Sequence, residues 1–268
     1  MPPSAFQRKN LLEVEREHWR PPVYREPRGF FAGIRNFFYR FLDLQAGTIL
    51  RDLSALLPRV KGDVLDVGCG LQPYRRLFSQ NARYHGIDIA ESKARFGFEA
   101  PDTLYYRGRV WPTRTRSIDF ILCTETLEHV DEPLVFLREA FRVLKPGGQL
   151  LLTVPFEARW HFVPYDYWRY TPSGLNHLLR RAGFEGIRIY ARGNELTVAA
   201  YKMMAFLFIL WVPVSPGFIA KFLWRTLALM GLPLLVLAGI VANLSAWKDG
   251  TVDCLGYTVL AGKPRSKP

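Results

Sequence analysis

The chain has 268 residues, 49% of them hydrophobic, enough for one well-buried domain of ordinary size with an appendage. A formal net charge of +12 and an isoelectric point near 9.8 attract nucleic acid, anionic lipid or an acidic substrate without choosing among them. The three cysteines, Cys69, Cys123 and Cys254, form no CxxC or Cys/His cluster, which argues against a zinc site and against a disulfide framework. Each sits in or beside an apolar run, as a buried free thiol does. The first ten residues carry charges with no apolar core behind them, unlike a secretory signal, so the chain reads as cytoplasmic.

Residues 1–45 form a basic, aromatic arm with scattered prolines. Its stretch from Gly29 to Asp43 sets several phenylalanines beside Arg35 and Arg40, which suits an interfacial helix or an ordinary helix packing its rings on the domain. From residue 63 onward short apolar runs alternate with helical patterns, the signature of βαβ units and a parallel sheet. The expected strands lie near 63–67, 83–88, 103–107, 118–123, 148–154 and 186–192, with a last one at 255–262. Helices over 72–79, 132–144 and 172–182 fit between them, the second stopped by Pro146-Gly147-Gly148 and the third by Gly183. An apolar block at 198–247 separates the last two strands, and the sheet does not need it. The organisation is then an arm (1–45), an α/β domain (46–197), the apolar insertion (198–247), and a last strand with a basic tail (248–268).

The segment Asp63-Val-Leu-Asp-Val-Gly-Cys-Gly-Leu-Gln-Pro places Asp66, Gly68 and Gly70 where a strand gives way to a helix. A tight glycine turn lets a ligand approach the backbone, and a helix N-terminus behind it offers N–H groups to an anion. Asp88 closes the second strand roughly 20 residues on, where a carboxylate accepts ribose hydroxyls. A nicotinamide or flavin site would need GxGxxG, but here the pattern stops after two glycines and Pro73 follows.

Val64-Leu-Asp-Val-Gly-Cys-Gly70 is similar to the first motif of class I S-adenosylmethionine-dependent methyltransferases. The likeness continues through Ser117–Val130, Leu137–Pro155, Tyr165–Thr171 and Leu178–Phe184, which resemble the type 11 methyltransferases. It covers about 62–193 and the last strand. The resemblance implies a Rossmann-like α/β sheet, here with an apolar helical insertion before its last strand. It also implies S-adenosylmethionine as cosubstrate, held by Asp66, Gly68, Gly70 and Asp88. Many relatives carry Gly-Asp after the third strand for the adenine amino group; this chain has Gly108-Arg109, which shifts that role toward Trp111, the backbone or another side chain.

Methyl transfer from a sulfonium needs alignment above all, and a base only when the acceptor is protonated. Glu125, Glu128 and His129 form the best polar cluster near the expected methyl position, on one face if the segment is helical. Three readings stay open: His129 as general base, a divalent-metal site, and hydrogen bonds that brace the loop. The metal reading comes from the resemblance of this E-x-x-E-H element to methyltransferases of ubiquinone biosynthesis. His161, Tyr165, Asp166, Tyr167, Trp168 and Arg169 follow the fifth strand and are expected to form the acceptor pocket or its lid, with Arg169 available to a phosphate or carboxylate.

Met203–Ala220 and Thr226–Leu244 contain no charge, and the second run spans about 28 Å as a helix, close to a hydrocarbon core of about 30 Å. Pro213, Pro216 and Gly217 interrupt the first run, and Lys221 and Arg225 occupy the link, which favours a shallow re-entrant hairpin over two spans. The expectation is an enzyme at the cytoplasmic face of a membrane, acting on a membrane lipid, a lipid-linked molecule or a hydrophobic small molecule. A dimer interface is the soluble alternative for the insertion. A non-catalytic tethered scaffold and an RNA methyltransferase are the alternatives for function; nucleic acid ranks lower because no RNA-binding module is appended.

Overall fold

The computed structural model describes residues 30–97, 99–210, 218–248, 250 and 253–265. Seven strands form one sheet: β1 (Gly62–Val67), β2 (Ala82–Ile89), β3 (Thr103–Tyr106), β4 (Ile118–Thr124), β5 (Leu144–Pro155), β6 (Glu185–Arg192) and β7 (Gly256–Gly262). Around it lie α1 (Phe30–Leu42), α2 (Leu44–Leu56), α3 (Ser92–Phe96), α4 (Pro133–Val143), α5 (Pro172–Ala182), α6 (Glu195–Ile209) and α7 (Phe218–Ser245). The strand order is β3-β2-β1-β4-β5-β7-β6, parallel except that β7 runs antiparallel to both neighbours. This is the expected Rossmann-like sheet.

The central strands read as unbroken apolar runs because both of their faces are covered. Val64, Phe120, Leu122 and Leu151 pack with Ile49, Leu50 and Leu53 of α2 on one side. Their neighbours Leu65, Ile121, Cys123 and Leu150 turn the other way, toward Leu137 and Ala140 of α4 and Leu175 and Leu179 of α5. Local signals set the helix ends: Thr171 caps α5 by accepting from the Gly174 N–H at 3.1 Å, and Gly183 ends it at φ 103°.

The strand order reverses between β1 and β4, so their carboxyl ends flank the crevice where such sheets bind ligands. The helix expected over 72–79 is absent there. Gln72 has φ 55°, which no α-helix accepts, and Pro73 restrains it further, leaving one short 3-10 turn at Arg75–Leu77. No helix N-terminus therefore backs the glycine turn. The fifth strand also starts earlier than expected, at Leu144, directly after α4.

The insertion is a helical hairpin. Among the described residues α6 rises about 22 Å and α7 about 42 Å. Pro213–Gly217, the expected interruption, lies outside the described residues. The hairpin base is a small core of its own, where Val198, Met204 and Leu207 meet Leu235, Ala238 and Ala242, joined by Leu44 and Leu255. Polar pairs pin the foot: the Asn194 amide donates to the Ser245 carbonyl at 3.0 Å, and the Thr197 and Ser245 hydroxyls lie 2.8 Å apart. Beyond that foot the exposed side chains are mostly apolar, Phe206, Phe208, Phe222, Met230 and Leu237 among them, with Lys202 and Arg225 as exposed charges. Because β6 ends and β7 begins at the carboxyl edge of the parallel strands, the hairpin leaves the sheet on the ligand side.

Asn194 both caps α6 and ties it to the end of α7. Asn194→Ala should lower stability by about 1–3 kcal/mol, read by chemical denaturation in detergent against the unaltered chain.

Candidate active site

Gly68 and Gly70 turn the chain after β1 at φ 68° and 52°. A side chain at Gly68 would come within 2.4 Å of Thr126 Cγ2, so the turn is open to a ligand only as glycine. The Gly68 and Cys69 N–H groups donate to the Ile87 carbonyl, while Asp88 accepts from the Gly70 N–H at 3.0 Å and from Ile89 at 2.7 Å. Asp88 therefore holds the turn and keeps spare lone pairs on both oxygens. Asp66 lies behind it, accepting from the Tyr84 hydroxyl at 2.6 Å through Oδ2, while Oδ1 is buried without a partner among the described residues. Burial, opposed by Tyr84 and reinforced by Asp88, pushes the Asp66 carboxyl up to about 7. An orphaned carboxyl oxygen, an open glycine turn and a second carboxylate with free lone pairs fit the ammonium and the ribose diol of S-adenosylmethionine. Asp66, Gly68, Gly70 and Asp88 are the residues that would hold them.

After β4 the chain kinks: Glu125 has φ 46°, and only Leu127–His129 form a 3-10 turn. The single helical face expected for Glu125, Glu128 and His129 does not exist. Glu125 points instead to Arg192, 2.9 Å from its Nη2. Glu128 is fully buried, and neither carboxyl oxygen has a hydrogen-bond partner among the described residues. Burial and the charge of Glu125 raise its carboxyl well above the usual carboxylate range. The bracing at this turn is done by other atoms: the Glu128 carbonyl accepts from the Tyr167 and Trp168 N–H groups, and His129 Nδ1 donates to the Tyr165 carbonyl at 2.8 Å. That bond leaves His129 Nε2 as the acceptor, 3.7 Å from Glu128 Oε1. Burial pushes His129 down to about 4.

The segment after β5 closes over this pair. His161 stacks edge-on to His129 at 5.1 Å, and Phe96 of α3 and Phe162 complete the ring cluster. Donor atoms of Glu128, His129 and His161 lie within 4.8 Å of one another, close enough to share a cation. The predicted lid residues Asp166 and Arg169 are paired with each other by two bonds, 2.6 and 2.8 Å, and Asp166 also accepts from the His161 N–H at 3.1 Å. Burial alone would raise the Asp166 carboxyl, but Arg169 and His161 hold it below its ordinary value. The charge of Arg169 is thus spent on Asp166, which corrects the expectation that it is available to an anionic acceptor. Tyr165 carries the Arg95 guanidinium over its ring at 4.5 Å, and Tyr167 and Trp168 are exposed at the rim. Trp111, expected at the adenine, is buried in the core edge-on to Phe136 at 5.1 Å, and Arg109 pairs with Glu132. A separate hollow of about 520 Å³ lined by Gln149, Glu185 and Arg188 opens at the opposite edge of the sheet.

A family model described as "Methyltransferase domain" matches residues 39–189, more than half of the chain. The chain belongs to the class I S-adenosylmethionine-dependent methyltransferases. Among its curated relatives is a ubiquinone biosynthesis O-methyltransferase of Xanthomonas oryzae, 34% identical over 113 residues, covering 38% of this chain and 46% of that protein. Another of that name, from Ruegeria pomeroyi, is 30% identical over 172 residues, covering 53% of this chain and 67% of that one. The chain thus matches about half to two thirds of these relatives' length. A solved S-adenosylmethionine-dependent methyltransferase of Thermotoga maritima, titled a possible histamine N-methyltransferase, shares the fold. Its TM-score is 0.51 at 18% identity, covering 87% of this chain and 96% of that one.

The residue that sequence reasoning missed in this methyltransferase is Arg192. It sits at a strand end beside a block of apolar helix, and nothing local signals that it is buried against Glu125.

Asp88 should contribute to cofactor affinity through charge-assisted hydrogen bonds of roughly 1.5–3 kcal/mol. Asp88→Ala should therefore weaken S-adenosylmethionine binding at least about tenfold, measured by calorimetry on folded protein; unchanged affinity would remove Asp88 from the site.

Proposed function

We propose that the protein transfers the methyl group of S-adenosylmethionine to a hydrophobic small-molecule or lipid-linked acceptor, at the cytoplasmic face of a membrane. One observation carries this reading: the exposed apolar hairpin leaves the sheet between β6 and β7, at the edge that holds the glycine turn, Asp88 and His129. An acceptor anchored in lipid would then meet the methyl group without leaving the bilayer. Several relatives are named for ubiquinone biosynthesis and for O-methylation, which supports an apolar acceptor carrying a hydroxyl.

In this reading the chain's own residues do three things. Asp66, Asp88 and the glycine turn hold the methyl donor, which supplies the electrophilic carbon. The lid, locked by Asp166 and Arg169, excludes water and fixes the acceptor's approach. His129 Nε2 takes the acceptor's proton, with Nδ1 held on the Tyr165 carbonyl. A second reading rests on the closeness of Glu128, His129 and His161, a set that would hold a divalent cation and orient the acceptor oxygen. Metal analysis of the purified protein, together with chelation, decides between them. Bound metal and chelator-sensitive turnover support the cation, and metal-free active protein supports the base.

His129→Gln should lower turnover by roughly 100-fold or more while leaving S-adenosylmethionine binding intact. Because burial depresses His129 to about 4, its proton-accepting form is complete throughout the neutral range and is lost only as pH falls through that value. The rate profile should therefore rise near pH 4 and not near an ordinary histidine value. The membrane reading has its own test. Replacing 198–247 with a short linker should release folded, cofactor-binding protein into the soluble fraction, and intact protein that is soluble and monodisperse without detergent would overturn it.

A further inference from the structure

We propose that α1 lies in the headgroup plane of an anionic lipid leaflet, as a second membrane contact distinct from the hairpin; the inference rests on the membrane reading above. Positions 31, 34, 38 and 42 recur at intervals of three and four, so Phe31, Ile34, Phe38 and Leu42 share one face, with Phe37 at its border. All five are exposed, Phe31 by 83% and Phe37 by 66%. In a folded soluble surface that much contiguous aromatic area marks a contact site.

The C-terminal end of α1, through Phe41 on the same apolar arc, is fastened to the foot of the hairpin. Phe41 rests on Gly239 of α7, where a side chain would come within 2.5 Å of its ring, and the Phe41 carbonyl accepts from the Asn243 amide at 2.9 Å. Gly239 and Asn243 belong to the last two turns of α7, where the hairpin rejoins the domain. The C-terminal end of α1 therefore sits at the level where the hairpin would enter lipid. At the same end Trp247 is exposed and carries the Arg51 guanidinium over its ring at 5.4 Å, an amphipathic pair suited to an interface.

Charge selects the partner. Arg35 and Arg40 are exposed outside the apolar stripe, and α1 contains no acidic residue. A second copy of the chain would bring another pair of arginines and another +12 against them. A bilayer with anionic headgroups offers phosphates to the arginines and acyl chains to the rings.

The three native cysteines are buried, so a thiol introduced at the surface takes a fluorescent label selectively. Phe37→Cys and Met230→Cys, each labelled in the full chain, are reconstituted in phosphatidylcholine vesicles with and without phosphatidylglycerol. The label at 230 reports the hairpin and the label at 37 reports α1. With phosphatidylglycerol both should be quenched by lipid-borne nitroxide and protected from iodide. Without it, or in an Arg35→Gln/Arg40→Gln background, the label at 37 alone should become accessible to iodide, with about a fivefold loss of surface partition per arginine. A label at 37 that stays accessible to iodide while 230 is lipid-quenched overturns the proposal and leaves the hairpin standing. Protection at 37 without nitroxide quenching means that protein covers the face, which also overturns it. Protection at 37 that is equal in both lipids overturns the selection for anionic lipid. Iodide access at both positions overturns the membrane reading itself.

Discussion

Arg192 carries a permanent charge into a fully buried position, which is tolerable only where acceptors surround it. They do: the Glu125 carboxylate at 2.9 Å, the Val154 carbonyl at 3.1 Å and the Gln45 carbonyl at 3.3 Å. These partners lie in the turn after β4, in β5 and at the start of α2. Gly256 opens β7 beside them, and any side chain there would come within 2.4 Å of the guanidinium and of the Val154 carbonyl. One side chain thus fastens the carboxyl edge of the sheet where two exceptional features meet, the strained Glu125 turn and the two feet of the hairpin. The Leu255 N–H donates to the Arg192 carbonyl itself, so the chain leaves for the hairpin and returns from it at the same residue.

The fold was legible in the sequence because its signals are local. Strands buried on both faces read as apolar runs, Gly183 stops α5, and Pro146-Gly147-Gly148 follows α4. The glycine turn and Asp88 were legible for the same reason, since their meaning lies in spacing along the chain. What the sequence hid depends on pairing at long range. Glu125 looks like a member of the Glu128–His129 cluster until Arg192, 67 residues away, takes its charge. Arg169 looks available until Asp166 is seen to accept from both of its Nη groups, with the Trp168 and Arg159 carbonyls taking further N–H bonds. The missing helix after Gly70 is a local failure of another kind: periodicity suggested a helix, and the backbone of Gln72 and Pro73 refused it.

The electrostatics around the crevice differ from one wall to the next. Beside the glycine turn two buried carboxyl groups, Asp66 and Asp88, are both raised by burial, a cost that a cationic ligand would relieve. In the segment after β5, Asp166 and Arg169 neutralise each other and fix the shape of the loop. Between these walls Glu128 and His129 are both held neutral by burial, and among the described residues neither Glu128 carboxyl oxygen has a hydrogen-bond partner.

That neutrality has a consequence for proton transfer. A lone histidine depressed to about 4 is a poor proton acceptor near pH 7. If His129 takes the acceptor's proton as proposed, the imidazolium would form 3.7 Å from Glu128, and a positive charge at that distance lowers the cost of ionising the neighbouring carboxyl. Burial, which weakens each group singly, strengthens the interaction between them, because the same low dielectric that penalises one charge deepens the attraction of two. The closed ring cluster of Phe96, Phe162 and His161 packs water away from this pair, so the segment after β5 and the proposed proton acceptor form one packed unit.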